Sequence, residues 1–377
     1  MAASSFYSLI LLISLLSTTF TSMQGFIDDR LIQQVVSSDG RDDLLTSAEH
    51  QFSAFKKKYG KTYPTQDEED YRFGVFISNL RRARRNQMMD PTAVHGVTKF
   101  SDLTPSEFGR RYLGSGRQIQ LSKDLSKGPI LPTDDLPLTM NWTAKGAVTP
   151  VKNQGTCDGC WAFSTIAVLE GAHFLANGQL FNLSEQQLID CSTECNKNGK
   201  VCNHGCEGGN RVLAFKYMEN SGGVVQAKNY RFIGNNSGLC NVTENSQIVA
   251  SLCRFHLIED DHDQYAANLV KHGPIAVSIP IKFLPAQTYT GGVFCPQVNC
   301  MSNEITRHAV VLVGYNNGTS TDSDQKKVFS WIVKNSWGND WGEGGFFRVC
   351  RGLLKACGNH PVALYAIAKN NTTGSCA

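Results

Sequence analysis

The chain has 377 residues, 41% of them hydrophobic, enough for a large core and roughly two or three compact units. A formal charge of +3 is close to balance and excludes the strong basic bias of a nucleic-acid or anionic-membrane binder. Thirteen cysteines exclude an ordinary protein of a reducing compartment, unless most of them are metal ligands or reactive thiols.

The N-terminus favours an oxidising route. Leu9 to Leu16 is an apolar run between a short polar start and Ser17-Thr18-Thr19, with small residues near 20 to 25, and it reads as a secretory signal peptide over residues 1–24. No Lys or Arg precedes the run, and it is too short for a membrane span. The mature protein is therefore expected off the membrane after signal removal, with its cysteines in disulfides and the odd count leaving at least one free thiol. Seven N-x-[ST] sequons, at Asn141, Asn182, Asn235, Asn241, Asn317, Asn370 and Asn371, are open to glycosylation on that route.

Phe52, Phe55 and Tyr59 predict an amphipathic helix over 48–59, ended by Gly60 and Pro64. A longer helix is predicted over 66–89, where Glu68, Arg72, Phe76, Asn79, Ala83 and Gln87 recur every three or four residues on one stripe, up to a stop at Asp90-Pro91. The basic run Arg81-Arg82-Ala83-Arg84-Arg85 lies in this helical pattern and reads as a solvated face rather than a polyanion site. Residues 113–135 lose apolar periodicity and gain Gly, Ser and Pro, the composition of an exposed, cleavable connection.

The stretch from Asn153 to Ser164, NQGTCDGCWAFS, looks like a nucleophile at a helix start. Gly155 and Gly159 make a turn, and Trp161 to Phe174 then carries apolar residues at helical spacing. Cys160 is thus at or just before a first helical turn, where unpaired backbone N–H groups favour thiolate over thiol. Taken alone, Cys157-x-x-Cys160 is as consistent with a disulfide or half a zinc site. Ser184 is placed to cap the next helix. Cys191, Cys195, Cys202 and Cys206 follow within sixteen residues and, with His204, can be drawn as a zinc knot. Their irregular spacing and the oxidising compartment favour disulfides, so no metal is expected. From Gly273-Pro274 onward the runs IAVSI, HAVVLVGY, VFSWIVKNSW, GFFRVC and ALYAIA read as strands. A helical first half and a β second half make an α+β arrangement with a cleft.

Acyl transfer by cysteine needs a thiolate, an imidazole to exchange its proton, a group that orients the imidazole, and donors for the oxyanion. His308 opens one β run and Asn335 lies at the end of another. The E-R-F-N-A-Q stripe, Gly96 to Asp102 (G-x-N-x-F-x-D with Thr98 for the usual Asn), QGTCDGCWAFS, GCEGG, RHAVVLVGY and VKNSWG together resemble a papain-family cysteine endopeptidase zymogen. The resemblance runs from about residue 48 to about 368, and in detail it is similar to the cathepsin F-like branch and its plant vacuolar enzymes. It implies a papain-like two-lobed α+β fold, a helical lobe and a β-barrel-like lobe with the active-site cleft between. It also implies an inhibitory propeptide over 25–134, removed on activation, and a peptidase domain over 135–377 whose mature start is near Asp134 to Leu136. The implied partners are protein and peptide substrates, the propeptide itself as inhibitor, and cystatin-type inhibitors. A monomer without cofactor is implied, located in a vacuole or lysosome, with the exterior as the alternative.

Residue by residue, the resemblance implies Cys160 as nucleophile and thiolate beside an imidazolium at His308, with Asn335 accepting the other imidazole N–H under the cover of Trp337. Gln154 and the backbone N–H of Cys160 would hold the oxyanion, and Gly209 would bind the substrate backbone as a short extended strand. The family's own spacing puts His and Asn roughly 130 to 150 residues beyond the Cys. His308 is 148 residues on and Asn335 is 175, the surplus assigned to the cysteine-rich insert before Cys206 and the polar loop from Asn316 to Lys327. The implied disulfides are Cys157–Cys206, Cys191–Cys240 and Cys195–Cys202, with Cys295 and Cys300 pairing with Cys350 and Cys357 in an open order. Cys253, in an apolar run, is expected as a buried thiol, and Cys376 as part of a tail that is trimmed.

Four departures fall near the cleft. Asp158 replaces a usual Gly and Glu207 a usual Asn at the rim of the S1 site; either they favour Arg or Lys at P1, or both point to solvent. Asp158 as an added anion would also raise the thiol pKa. Asn210 and Arg211 stand where apolar S2 walls are usual, beside Ser278, Thr306, Ala309 and Val362. If Arg211 faces that pocket, acidic or polar P2 residues are tolerated. A disulfide-rich binding protein on a dead protease scaffold is the competing class, and the intact set Cys160, His308, Asn335 and Gln154 argues against it.

Overall fold

In the computed structural model the described residues are 42–113, 125–196, 199, 201–243, 246–281, 285–296, 307–318, 329–358 and 362–376, without the side chains of 42–47 and 355–358. The signal-peptide reading of 1–24, Cys300, Thr306, most of the polar loop to Lys327 and the side chain of Cys357 lie outside them. Two compact units form, residues 42–82 with 101–103, and residues 83–100 with 104–376.

The first unit is built on α1 (Asp42–Tyr59) and α2 (Gln66–Met89). The apolar face of α1 closes on that of α2, with the Phe76 ring 5.3 Å from Phe52 and 5.1 Å from Phe55. The polar members of the α2 stripe satisfy an irregular segment that has no ladder of its own. Asn79 Nδ2 donates to the carbonyls of Ser101 and Leu103, both at 2.8 Å, and Arg72 Nη1 to that of Asp102 at 3.0 Å. The Asp102 carboxylate accepts from Lys61 at 2.9 Å and Tyr63 at 3.0 Å. Buried carbonyls need partners, so these residue types follow from the loop they hold. Arg81, Arg84 and Arg85 of the basic run are exposed.

The second unit contains β1 (Ala93–His95), α3 (Pro105–Tyr112) started by a Thr104–Glu107 capping box, β2 (Thr139–Asn141), α4 (Cys160–Asn177), α5 (Glu185–Cys191) and α6 (Arg211–Asn220). It continues with β3 (Val224–Val225), β4 (Ile248–Ala250), β5 (Leu252–Leu257), α7 (His262–His272), β6 (Ile275–Ile279), β7 (Tyr289–Phe294), β8 (His308–Asn317), β9 (Phe329–Lys334), β10 (Phe346–Cys350) and β11 (Leu364–Ala368). The main sheet runs β1-β7-β10-β9-β8-β6-β11-β5, with β2 on β8. Its pairs are antiparallel except β10 with β7. Helix α4 is apolar nearly all round and is buried along most of its length, as such a helix must be. It lies against β8 and β11, and Ser164 Oγ donates to the Val310 carbonyl of β8 at 2.9 Å.

Residues upstream of 135 add to this sheet. β1 pairs with β7 at a point where Gly292, with φ of 77°, allows an approach that a Cβ would block 2.5 Å from the Thr92 carbonyl. Thr98, the replacement for the usual Asn, donates to the Gln287 carbonyl at 2.6 Å. Residues 126–128 run beside β5, with Gly128 N–H on the Leu257 carbonyl at 2.9 Å and Leu257 N–H on that of Ser126 at 3.0 Å. Most of the described connection is exposed, and at 126–128 it is also paired to the sheet edge. The edge of β5 offers unpaired backbone groups, and the chain satisfies them before turning at the exposed Asp134-Asp135.

Five disulfides close among the described residues: Cys157–Cys206, Cys191–Cys240, Cys195–Cys202, Cys295–Cys350 and Cys253–Cys376. The last corrects the reading of Cys253 as a buried thiol and Cys376 as a loose tail. The C-terminus folds back, with Asn370 N–H on the Ser375 carbonyl at 2.9 Å and Lys369 bridged to Cys376, and so delivers Cys376 to β5. Among the described residues Cys160 is the free cysteine.

Candidate active site

Cys160 is the first residue of α4. Gly159 precedes it with no side-chain cap, so the first N–H groups of the helix are left to polar groups near the sulfur. The preceding turn is stapled by Cys157–Cys206, and Asp158 N–H donates to the Cys206 carbonyl at 3.0 Å. The packing of α4 on β8 brings the sulfur to the start of that strand, where the backbone N–H of Ala309, next to His308, interacts with it.

His308 is buried, with its Nε2 2.8 Å from Asn335 Oδ1. Its Nδ1 is buried without a hydrogen-bond partner. Trp337 covers the imidazole, ring centroids 5.0 Å apart and planes 30° from parallel. Phe100, Phe108 and Tyr112 also pack edge-on against Trp337 at 5.7, 5.5 and 6.5 Å, so aromatics from upstream in the chain help bury the indole that covers the imidazole.

Gln154 is tied across the site. Its N–H donates to the Ser336 carbonyl at 2.8 Å, its Oε1 accepts from Ser336 Oγ, and its Nε2 donates to the Cys157 carbonyl at 2.8 Å. A primary amide has two N–H donors, so one remains beside the start of α4.

Burial pushes the Cys160 thiol up to about 12, and Asp158, its Oδ1 3.9 Å from the sulfur, acts in the same direction. The Ala309 and Trp161 backbone N–H groups and the Arg211 guanidinium act the other way. Burial pulls His308 down to about 4 against the Asn335 hydrogen bond, which raises it. With the prosegment in place, each charge taken singly is therefore disfavoured, despite the helix start that favours thiolate.

The remaining sequence candidates divide. Asp158 is half-buried beside the sulfur, whereas Glu207 is exposed on the turn Gly205–Glu207. Asn210 is the N-cap of α6, its Oδ1 accepting from Val212 N–H at 2.7 Å. Arg211 is buried and donates to Ser278 Oγ at 2.6 Å and to the Val362 carbonyl at 2.8 Å. Gly209 approaches Trp161 so closely that a Cβ would meet the indole at 2.5 Å. Among the sequons, Asn141, Asn182, Asn235, Asn241 and Asn371 are exposed. Asn317 is half-buried with Arg351 on its Oδ1 at 3.1 Å, and Asn370 commits its Nδ2 to the Ala176 carbonyl at 2.7 Å.

Sequence reasoning missed a buried charge cluster behind Asn335. Lys152 bridges Glu170 at 2.8 Å and Glu185, Thr149 donates to Glu170 at 2.5 Å, and Lys334 donates to Thr149 at 2.8 Å. Burial pulls Lys334 down to about 8. Lys152, Glu185 and Lys334, with Ala309, Asn335 and Ser336, line a cavity of about 20 Å³, room for roughly one water. The cluster is scattered over the 185 positions that separate Thr149 from Lys334, and no local pattern links its members.

The family model for the papain family cysteine protease matches residues 136–367, and that for the cathepsin propeptide inhibitor domain residues 52–108. The chain is 49% identical over 346 residues to cysteine proteinase 15A of Pisum sativum, covering 91% of this chain and 93% of the other. It is 49% identical over 336 residues to the probable cysteine protease RD19C of Arabidopsis thaliana, covering 89% and 88%. Among solved structures it is similar to the digestive procathepsin L2 proteinase from Tenebrio molitor larval midgut, with a TM-score of 0.72 at 29% identity over 85% of this chain and 99% of the other. With both its propeptide and its peptidase parts matched, the chain belongs to the papain family of cysteine proteases and is a zymogen of a cysteine endopeptidase.

Proposed function

We propose that Cys160, His308, Asn335 and Gln154 carry the peptide hydrolysis of this endopeptidase. The carrying observation is the imidazole: Nε2 is held by Asn335, and Nδ1 is the nitrogen left without a partner, near the strand start that meets the Cys160 sulfur. The proton moves from Sγ to Nδ1, so thiolate and imidazolium arise together and stabilise one another where either alone is disfavoured. Sγ attacks the scissile carbonyl carbon, and the oxyanion takes the free Gln154 Nε2–H and the Cys160 backbone N–H. The C–N bond breaks as Nδ1–H protonates the leaving amine. Nδ1 then accepts a proton from water, which attacks the thioester, and Cys160 leaves as the thiol with the carboxylic acid released. Gly209 is the edge for the peptide; among the described residues no backbone hydrogen bond uses its N–H or C=O.

The propeptide is taken to extend over 25–134 and the peptidase over 135–377, cleavage falling at the exposed turn near Asp134 to Leu136. Among the described residues no helix is long and apolar enough to cross a membrane. A vacuole or lysosome is the proposed destination, consistent with acid removal of the prosegment, and the mature enzyme is proposed as a monomer open to cystatin-type inhibitors. The test is acid maturation followed by peptide cleavage and thiol alkylation. Cys160→Ala is expected to lose about 10⁴-fold or more in kcat/KM and to lose alkylation; full activity in that variant removes Cys160 from the role.

A further inference from the structure

Arg211 opens α6 immediately after the Gly209-Asn210 turn, and only 2% of it is exposed. The two acceptors of its Nη2, Ser278 Oγ and the Val362 carbonyl, are uncharged. Its Nη1 is buried with no hydrogen-bond partner. Among the described residues the one charge acting appreciably on the guanidinium is that of Cys160. A buried cation held by neutral acceptors, with one face of its fork unused, is costly to keep unless an anion completes it. The sulfur accounts for the neighbourhood but not for the unused donor, since the thiolate belongs to the bond-making step.

We propose that Arg211 is the receptor for a substrate carboxylate, an Asp or Glu side chain at P2, one residue before the one that carries the scissile carbonyl. The inference rests on the assignment of Cys160 as nucleophile and Gly209 as the peptide edge, which puts Arg211 beside the acyl half of the substrate. A guanidinium fork matches a carboxylate in shape and number of donors, and Nη1 supplies the bond that neither Ser278 nor Val362 takes. Apolar P2 residues would leave the cation buried and unpaired, so the selection has an attractive and a repulsive part. The half-buried Asp158, 3.9 Å from the sulfur, disfavours an acidic residue beside itself.

The experiment uses the full chain matured at acidic pH and a set of peptides that differ only at P2: Glu, Gln, Leu and Phe. In the wild type Glu is expected to exceed Gln in kcat/KM by roughly 10- to 100-fold near pH 6. The ratio should fall toward one as pH drops below about 4, where the P2 carboxylate protonates. Arg211→Met is expected to abolish the Glu preference and raise Leu and Phe, and Arg211→Gln to abolish it without that rise. Wild-type cleavage led by Leu or Phe, or a Glu-to-Gln ratio near one, overturns the proposal while leaving the nucleophile in place. That result is independent of whether either variant folds. Absence of both cleavage and Cys160 alkylation in the wild type overturns the underlying assignment and the proposal with it.

Discussion

Two charged residues flank Cys160 in opposite surroundings. Asp158 is half-buried, 3.9 Å from the sulfur and open to solvent screening, and it pushes the thiol up. Arg211 is buried among neutral acceptors, and it pulls the thiol down. Both depart from the residue types usual at their positions, yet their costs differ in kind. A rim charge acts through a screened field and little else, whereas a buried charge first pays desolvation and then acts on everything near it.

That contrast can be broken by substitution. Arg211→Met should raise the unfolding free energy of the mature enzyme by about 2 kcal/mol, since relief of an unpaired buried charge outweighs two hydrogen bonds to neutral acceptors. A lowered denaturation midpoint would mean that the guanidinium is compensated after all. Asn210→Ala, next along the chain, should cost about 1 kcal/mol through the lost cap while leaving the P2 profile unchanged, separating stability from specificity at adjacent residues. Asp158→Asn removes an anion that disfavours the thiolate, so the acid limb of kcat/KM should move to lower pH by about half a unit to one unit. A shift to higher pH would assign Asp158 to stabilising the imidazolium instead. Glu207→Gln should leave that limb within about 0.2 units, because an exposed carboxylate is screened; a shift matching that of Asp158→Asn would place both on one rim.

Much of the site was legible because its chemistry is written locally. Cys160 at a helix start, His308 at the head of a strand and Asn335 at the end of another sit in short motifs that state their own secondary structure. The prosegment stripe was legible for the same reason, although the loop that its polar members satisfy, Ser101 to Leu103, appears only in three dimensions. Asn210 illustrates the limit. Its place in the motif did not announce a cap, and the hydrogen bond to Val212 shows that it is one. The Cys253–Cys376 bridge and the Lys152–Glu170–Glu185–Lys334 cluster join residues far apart in the chain, and nothing in their immediate neighbours announces a partner.

The amino-acid sequence by itself determined the reaction class, the zymogen organisation and the candidates for the chemistry, because helix starts, strand heads and motif residues are set by local backbone and side-chain preferences. The tertiary structure decided the protonation balance at Cys160 and His308, the state of Arg211 and the course of the C-terminal tail. Those depend on desolvation and on partners brought together by packing, and burial is a property of the whole fold rather than of any stretch of it.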